Sequence, residues 1–177
     1  MYSIDNLLER KGVNLQGHVS QYWFNPIRKK QVSSLWLAYS NKNPYYRYSQ
    51  LSVVICYDGV FVGLEIPLKA RQNLDRMMGY ASFYKKDFIN EVAKLDPKYV
   101  DCWYGDFRFS TGFKDVYELI KKYKSKRQWL SIGHFYNKDE KILKSSRFID
   151  KIIDVFLRVY PLYQISISER VKRQRVS

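Results

Sequence analysis

The sequence predicts an α+β fold with a mainly antiparallel sheet, and three observations carry that prediction. Two β-rich runs, QLSVVICY (50–57) and VFVGLEI (60–66), are separated by Asp58-Gly59, the dipeptide that supplies positive φ for a two-residue type I′ turn. Apolar residues recur at helical spacing through SRFIDKIIDVFLRVY (146–160). The predicted elements run helix, three strands, two helices, strand, helix, strand, helix, an order expected of an α+β domain.

Along the chain, residues 3–11 place Ile4, Leu7 and Leu8 on one side of a helix that Gly12 stops. A polar and aromatic loop is expected to about Lys30, followed by a strand at VSSLWLAY (32–39). Pro44 and two asparagines make NKNPYYRY (41–48) a loop or an irregular edge. In the central hairpin (50–66), Leu51, Val53, Ile55 and Tyr57 share one face, as do Val60, Val62, Leu64 and Ile66 of the return strand, which Pro67 ends. Helices are predicted over about 68–79 and 84–95, the second stopped by Asp96-Pro97. DCWYGDFRF (101–109) reads as a strand, and Thr111 is placed to cap the helix KDVYELIKKYK. QWLSIGHFY (128–136) is the last strand. Phe148, Ile149, Ile152, Ile153, Phe156 and Val159 then form the apolar stripe of a long C-terminal helix that Pro161 is expected to terminate. No repeat or linker interrupts this order, so residues 1–165 read as one domain and 166–177 as a basic tail or the start of a linker.

Composition narrows the function classes. A chain of 177 residues with 46% hydrophobic content can bury one real core. No uncharged apolar run approaches the roughly 18–20 residues that span a bilayer, and MYSIDNLLERKG has neither the basic start nor the apolar stretch of a signal peptide. A soluble, cytoplasmic protein without a membrane partner is therefore expected. Cys56 and Cys102 give no disulfide framework and too few thiols for structural zinc, and read as buried small hydrophobes. What remains is a formal charge of +14, which points to a polyanionic partner.

That charge is distributed: residues 1–88 hold 12 basic and 6 acidic side chains, and residues 89–177 hold 19 and 11. Three runs stand out because surfaces normally intersperse the two signs. No acid occurs in the 48 residues between Glu9 and Asp58, which contain Arg28, Lys29, Lys30, Lys42 and Arg47. KKYKSKR supplies Lys121, Lys122, Lys124, Lys126 and Arg127, and RVKRQRVS adds Arg170, Lys172, Arg173 and Arg175.

Catalytic signatures are sparse. His18 and His134 belong to no metal-ligand spacing, the glycines form no phosphate loop, and no GxSxG elbow or Cys-His pair occurs. No catalytic residue, metal or cofactor is assigned on this basis. The best enzyme alternative is a metal-dependent nuclease using Asp58, Glu65 and Lys69. Its spacing is poor, because the acid and the lysine are four apart with Pro67 between them, and Asp58 is explained by its turn.

Binding is better supplied. The acid-free stretch interleaves its cations with Tyr22, Trp23, Phe24, Trp36, Tyr39, Tyr45, Tyr46 and Tyr48. Trp36 and Phe24 are expected in the core, whereas a Pro/Asn loop offers Tyr45, Tyr46 and Tyr48 little core to enter. A tyrosine face is worth about 1–3 kcal/mol to a stacked base, and Arg47 can take a phosphate or a guanine edge. Trp103, Tyr104, Phe107 and Arg108 form a second aromatic and basic cluster. The predicted nucleic-acid-binding residues are Arg28, Lys29, Lys30, Tyr45, Tyr46, Arg47, Tyr48, Trp103, Arg108, the 121–127 run and the basic tail. DNA is expected in preference to RNA. A protein-interaction module, with a protein partner or a fused effector domain, is the alternative of another class.

From Lys114 onward, KDVYELIKKYKSKRQWLSIGHFYNKDEKILKSSRFIDKIIDVFLRVYPLYQI resembles the C-terminal half of the YktB-like proteins, small α+β proteins without an established activity. Upstream, LWLAYSNKNPYYRYSQLSVVICYDGVFVGLEI resembles the same family's aromatic strand, loop and hairpin, so the likeness covers about residues 32–165. LWLAYS and GVFVGLEIP are also similar in layout to the N-terminal DNA-binding domains of McrB-type modification-dependent restriction proteins. That second resemblance implies a defence role and an aromatic pocket that reads a flipped, modified base; it assigns no pocket residue.

Overall fold

The predicted hairpin is present, and a sheet extends outward from it. The computed structural model describes residues 4–19, 24–25, 30–31, 34–44, 47–93 and 130–168. They form α1 (Ile4–Arg10), β1 (Gln16–Val19), β2 (Phe24–Asn25), β3 (Lys30–Gln31), β4 (Ser34–Ser40), β5 (Gln50–Cys56), β6 (Gly59–Ile66), α2 (Arg71–Phe83), α3 (Lys85–Ala93), β7 (Leu130–Asn137) and α4 (Phe148–Ile167). Five strands make one antiparallel sheet in the order β1-β4-β5-β6-β7, and β2 pairs with β3 separately. The fold is α+β. The expected strand at 101–109 and helix after Thr111 lie outside the described residues.

Strand alternation divides the sheet into two faces. Leu51 and Val53 of β5, Val60, Val62, Leu64 and Ile66 of β6, and Ile132 and Tyr136 of β7 pack under the helices. Helix α4 lies on this face and buries Ile152, Phe156, Val159 and Leu162. Each such side chain contributes about 1.5–3 kcal/mol when fully buried. The edge-on pairs Tyr39–Phe156 (5.7 Å between centroids) and Tyr136–Phe148 (5.1 Å) fix α4 across the sheet. Leu74, Met77 and Met78 add the inner face of α2, and Leu8 that of α1.

Three expectations are corrected. The hairpin turn lies one residue earlier than Asp58-Gly59: Cys56 pairs with Gly59, leaving Tyr57 and Asp58 at the tip. This register sets Gln50 against Glu65 and Ser52 against Gly63, polar with polar and small with small. Gly59 has φ 155°, and a Cβ there would collide with the Tyr136 carbonyl of β7, so close strand approach also demands glycine. The second correction is β1, which pairs with β4 inside the segment expected to be a loop; GlnGlyHisVal has no apolar alternation to reveal it. Third, Pro161 does not end α4, which continues to Ile167. Proline there removes one backbone hydrogen bond, but Leu162 and Tyr163 (each 1% exposed) and Ser166 (0%) are buried beyond it, and their packing offsets that loss.

The sheet face away from the helices is ordered in rows that follow from the register. Trp36, Val54, Phe61 and Phe135 form an apolar row; Ala38, Ser52, Gly63 and Gly133 form a row of small residues; Ser40, Gln50, Glu65 and Ser131 form a polar row. The middle row is small because aromatic rings lie over it. A Cβ on Gly63 would stand 2.7 Å from Phe61 Cζ and 2.6 Å from Gly133 Cα, and one on Gly133 would stand 2.8 Å from Phe61 Cε2. Gly133→Ala should therefore cost about 1–3 kcal/mol or more, since backbone and a packed ring must both move. Urea unfolding monitored by circular dichroism tests this; an unchanged midpoint would show that the ring has room to move.

Candidate functional site

The segment 41–49 between β4 and β5 is the part of the predicted interface that the described residues place best, and the helices fasten it from below. At its start, the Tyr163 hydroxyl of α4 donates to Asn41 Oδ1 (3.0 Å) and accepts from the Asn41 backbone N–H (3.1 Å). Burial raises the pKa of that phenol above its ordinary value, so Tyr163 is neutral and able to donate. At the loop's end, Asn73 of α2 donates from Nδ2 to Ser49 Oγ (3.1 Å). The Ser49 and Ser166 hydroxyls share a hydrogen bond of 2.7 Å, and Ser166 Oγ lies 2.7 Å from the Tyr163 carbonyl. Across the base, the Ser40 hydroxyl donates to the Ser49 carbonyl (3.4 Å) and accepts from the Lys42 backbone N–H (3.3 Å). Tyr163 and Ser166 are three apart and so face the loop from one side of α4.

On this base stand the side chains that a ligand can meet. Arg47 is exposed, and its backbone N–H donates to the Pro44 carbonyl (3.1 Å) within a tight turn. Lys42 Nζ lies 5.4 Å from the centroid of the half-buried Tyr48 ring, within cation–π range. Cationic and aromatic groups are thus presented together, as a phosphate and base contact requires.

On the sheet face away from the helices, Glu65 forms the second polar centre. Trp36 Nε1 (3.2 Å) and Gln50 Nε2 (3.3 Å) both donate to its Oε2, and the Ser131 hydroxyl lies 3.4 Å from Oε1. Glu65 is 1% exposed. Desolvation raises its pKa above the ordinary value of 4.5, against the opposing effect of Ser52, Gln50, Trp36 and Ser131. The Ser52 hydroxyl exerts its share without meeting hydrogen-bond geometry. Four of the five strands meet at this one carboxyl.

The residues chosen from the sequence fall as follows. Arg47 and Tyr48 are brought together with Lys42. Lys30 lies in β3, where it pairs with Asn25. Arg28, Lys29, Tyr45, Tyr46, Trp103, Arg108, Lys121, Lys122, Lys124, Lys126, Arg127, Arg170, Lys172, Arg173 and Arg175 lie outside the described residues. The nuclease trio does not converge: Asp58 is exposed at the hairpin tip, Lys69 is exposed beyond Pro67, and Glu65 is buried. Seven strand residues put Asp58 and Glu65 roughly 23 Å apart. Among the described residues, no group of three or more His, Cys, Asp and Glu side chains could hold a metal ion. The His134 and Tyr136 rings lie 4.2 Å apart between centroids at a tilt of 48°, and Cys56 is half-buried. A cleft of about 440 Å³ beside α1 presents Asp5 and Glu9, carboxylates that repel phosphate. Sequence reasoning missed Asn73, Tyr163 and Ser166; the signal for the last two was the apolar spacing continuing past Pro161.

No family model matches the chain, and no curated protein is significantly similar to it. No helix among the described residues is long and apolar enough to cross a membrane.

The Glu65 carboxyl makes stability depend on pH. The folded protein holds this proton more tightly than the unfolded chain, so the stabilisation is complete below the ordinary carboxylate value and is lost as pH rises through the folded value. Glu65→Gln keeps an acceptor for Trp36 and Gln50 and offers Ser131 a donor. As pH is raised from 5 to 8, the wild type should lose stability relative to the variant over the part of that range below its folded value, while Glu65→Ala should cost about 1–3 kcal/mol for each buried donor left unpaired. Thermal melts across that range test the pair; parallel pH profiles for wild type and Glu65→Gln would refute the shifted carboxyl.

Proposed function

We propose that this chain is a nucleic-acid-binding domain, for DNA in preference to RNA, that holds phosphates with clustered cations and meets bases with aromatic rings. The observation that carries the reading is the 41–49 loop, where Lys42, Arg47 and Tyr48 are presented on a base hydrogen-bonded to both α2 and α4. The +14 charge supports it, because a surface of that sign concentrates polyanions and draws affinity from released counterions. A loop fastened at both ends also loses little entropy when it binds. Arg28, Lys29, the 121–127 run and the basic tail are proposed as further phosphate contacts. The likeness in layout to McrB-type domains supports a modified or flipped base as the target, read by stacking in a role in restriction or defence.

Binding should be steeply salt-dependent, with log affinity falling linearly against log salt in proportion to the phosphates neutralised. Arg47→Ala should weaken duplex binding about tenfold and Tyr48→Ala should weaken it without changing the salt slope. Fluorescence anisotropy with a labelled duplex at two salt concentrations measures both, with base-modified and RNA duplexes alongside. Absence of duplex binding at low salt would sink the proposal.

A further inference from the structure

The junction of α2 and α3 holds a second aromatic and cationic surface that the loop does not explain. Phe83 is 66% exposed and Tyr84 40% exposed, the only adjacent pair among the large hydrophobics left exposed in the described residues. Lys85 and Lys86 follow directly and are also exposed. The corner is fixed, since the Tyr84 N–H donates to the Tyr80 carbonyl (2.8 Å), the Phe88 N–H donates to the Tyr84 carbonyl (2.9 Å), and Phe88 is buried. Tyr84 packs against Tyr80 with ring centroids 5.0 Å apart, so its ring is held in place.

Neither feature serves the fold. An exposed Phe83 gives up the benefit of burial. Lys85 and Lys86 occupy the first turn of α3, where the helix dipole disfavours cations; only Asp87 in that turn has the sign the dipole favours. Side chains that oppose local stability on a rigid corner fit a ligand that is anionic and carries flat rings.

Resting on the nucleic-acid reading, we infer that this corner binds an unpaired segment of a nucleic acid strand. A base stacks on Phe83 and Tyr84, and the adjoining phosphates pair with Lys85 and Lys86. Asn73, which anchors the 41–49 loop, and Phe83 are ten residues apart on α2, roughly 15 Å along the helix.

The test uses the full chain with a fluorescein-labelled oligothymidylate of about 12 nucleotides. Phe83→Ala should weaken binding about fivefold or more, and Lys85→Gln with Lys86→Gln should lower the salt slope by about 1.4, the value for two phosphate contacts on a single strand. An oligonucleotide carrying 5-bromodeoxyuridine should photo-crosslink to peptide 77–85. All three positions are exposed, so unchanged thermal melts will show that the variants fold. If the wild type binds neither this oligonucleotide nor the labelled duplex at low salt, the corner and the parent reading both fall, and if it binds the duplex alone, only the corner falls. If the wild type binds and Arg47→Ala weakens it, but Phe83→Ala does not and crosslinks map elsewhere, the corner alone is overturned.

Discussion

A carboxyl group buried on the face of a sheet must be satisfied by its neighbours, and that requirement at Glu65 orders much of this structure. Trp36, Gln50 and Ser131 come from β4, β5 and β7, and all three converge on a side chain of β6. A slip of one residue in any of these strands would turn its partner to the opposite face, leaving donors buried without an acceptor. The carboxyl therefore specifies register more than it adds stability. Its consequences extend across the face. Trp36 of the apolar row donates to Glu65 of the polar row, and Phe61 lies against Gly63 and Gly133 in the row between them. The small residues are there because the polar row and the apolar row are bridged above them.

The loop depends on the same strand. Ser49 and Gln50 are consecutive and point to opposite sides of the sheet. Ser49 bonds to Asn73 and Ser166 among the helices, while Gln50 bonds to Glu65 on the other face. The end of the 41–49 loop is thus gripped from both sides of the sheet, and Tyr163 holds its beginning through Asn41. Such a loop presents Arg47 and Tyr48 in one place, so under the proposed function a ligand meets them without first ordering the loop.

The sequence showed the hairpin, the closing helix and β7 because each is written in apolar periodicity, the signal that burial imposes directly. Glu65 was legible as a residue and misleading as a role: with Asp58 and Lys69 nearby in sequence it reads as a metal ligand, whereas the strand carries it roughly 23 Å from Asp58. Buried Ser40, Ser49, Gln50 and Ser166 were illegible for a related reason. Small polar residues between apolar runs look solvated, and only tertiary placement shows that they satisfy one another. Pro161 concealed Tyr163 and Ser166, since proline ordinarily stops a helix unless packing beyond it compensates. For the candidate site, composition points to Arg47 and Tyr48, whereas nothing in composition points to Asn73, Tyr163 and Ser166, which hold the loop that carries them.

The charge balance ties the binding reading to the stability of the fold. A surplus of 14 positive charges repels itself and works against compaction. The described interior holds no matching pair to relieve it: burial biases Glu65 toward its neutral form, and the salt bridge Arg158–Asp154 (3.1 Å) joins two exposed side chains on one helix, an arrangement worth little. Among the described residues, apolar packing under α4 and the two hydrogen-bonded centres contribute stability against that repulsion. A polyanion that neutralises the cationic surface removes repulsion that is stronger in the compact state than in the unfolded chain, and a ligand that prefers the folded state stabilises it by mass action. Under the proposed function, the charge that draws the ligand in is the same charge that destabilises the chain without it, so binding and folding are coupled through that charge.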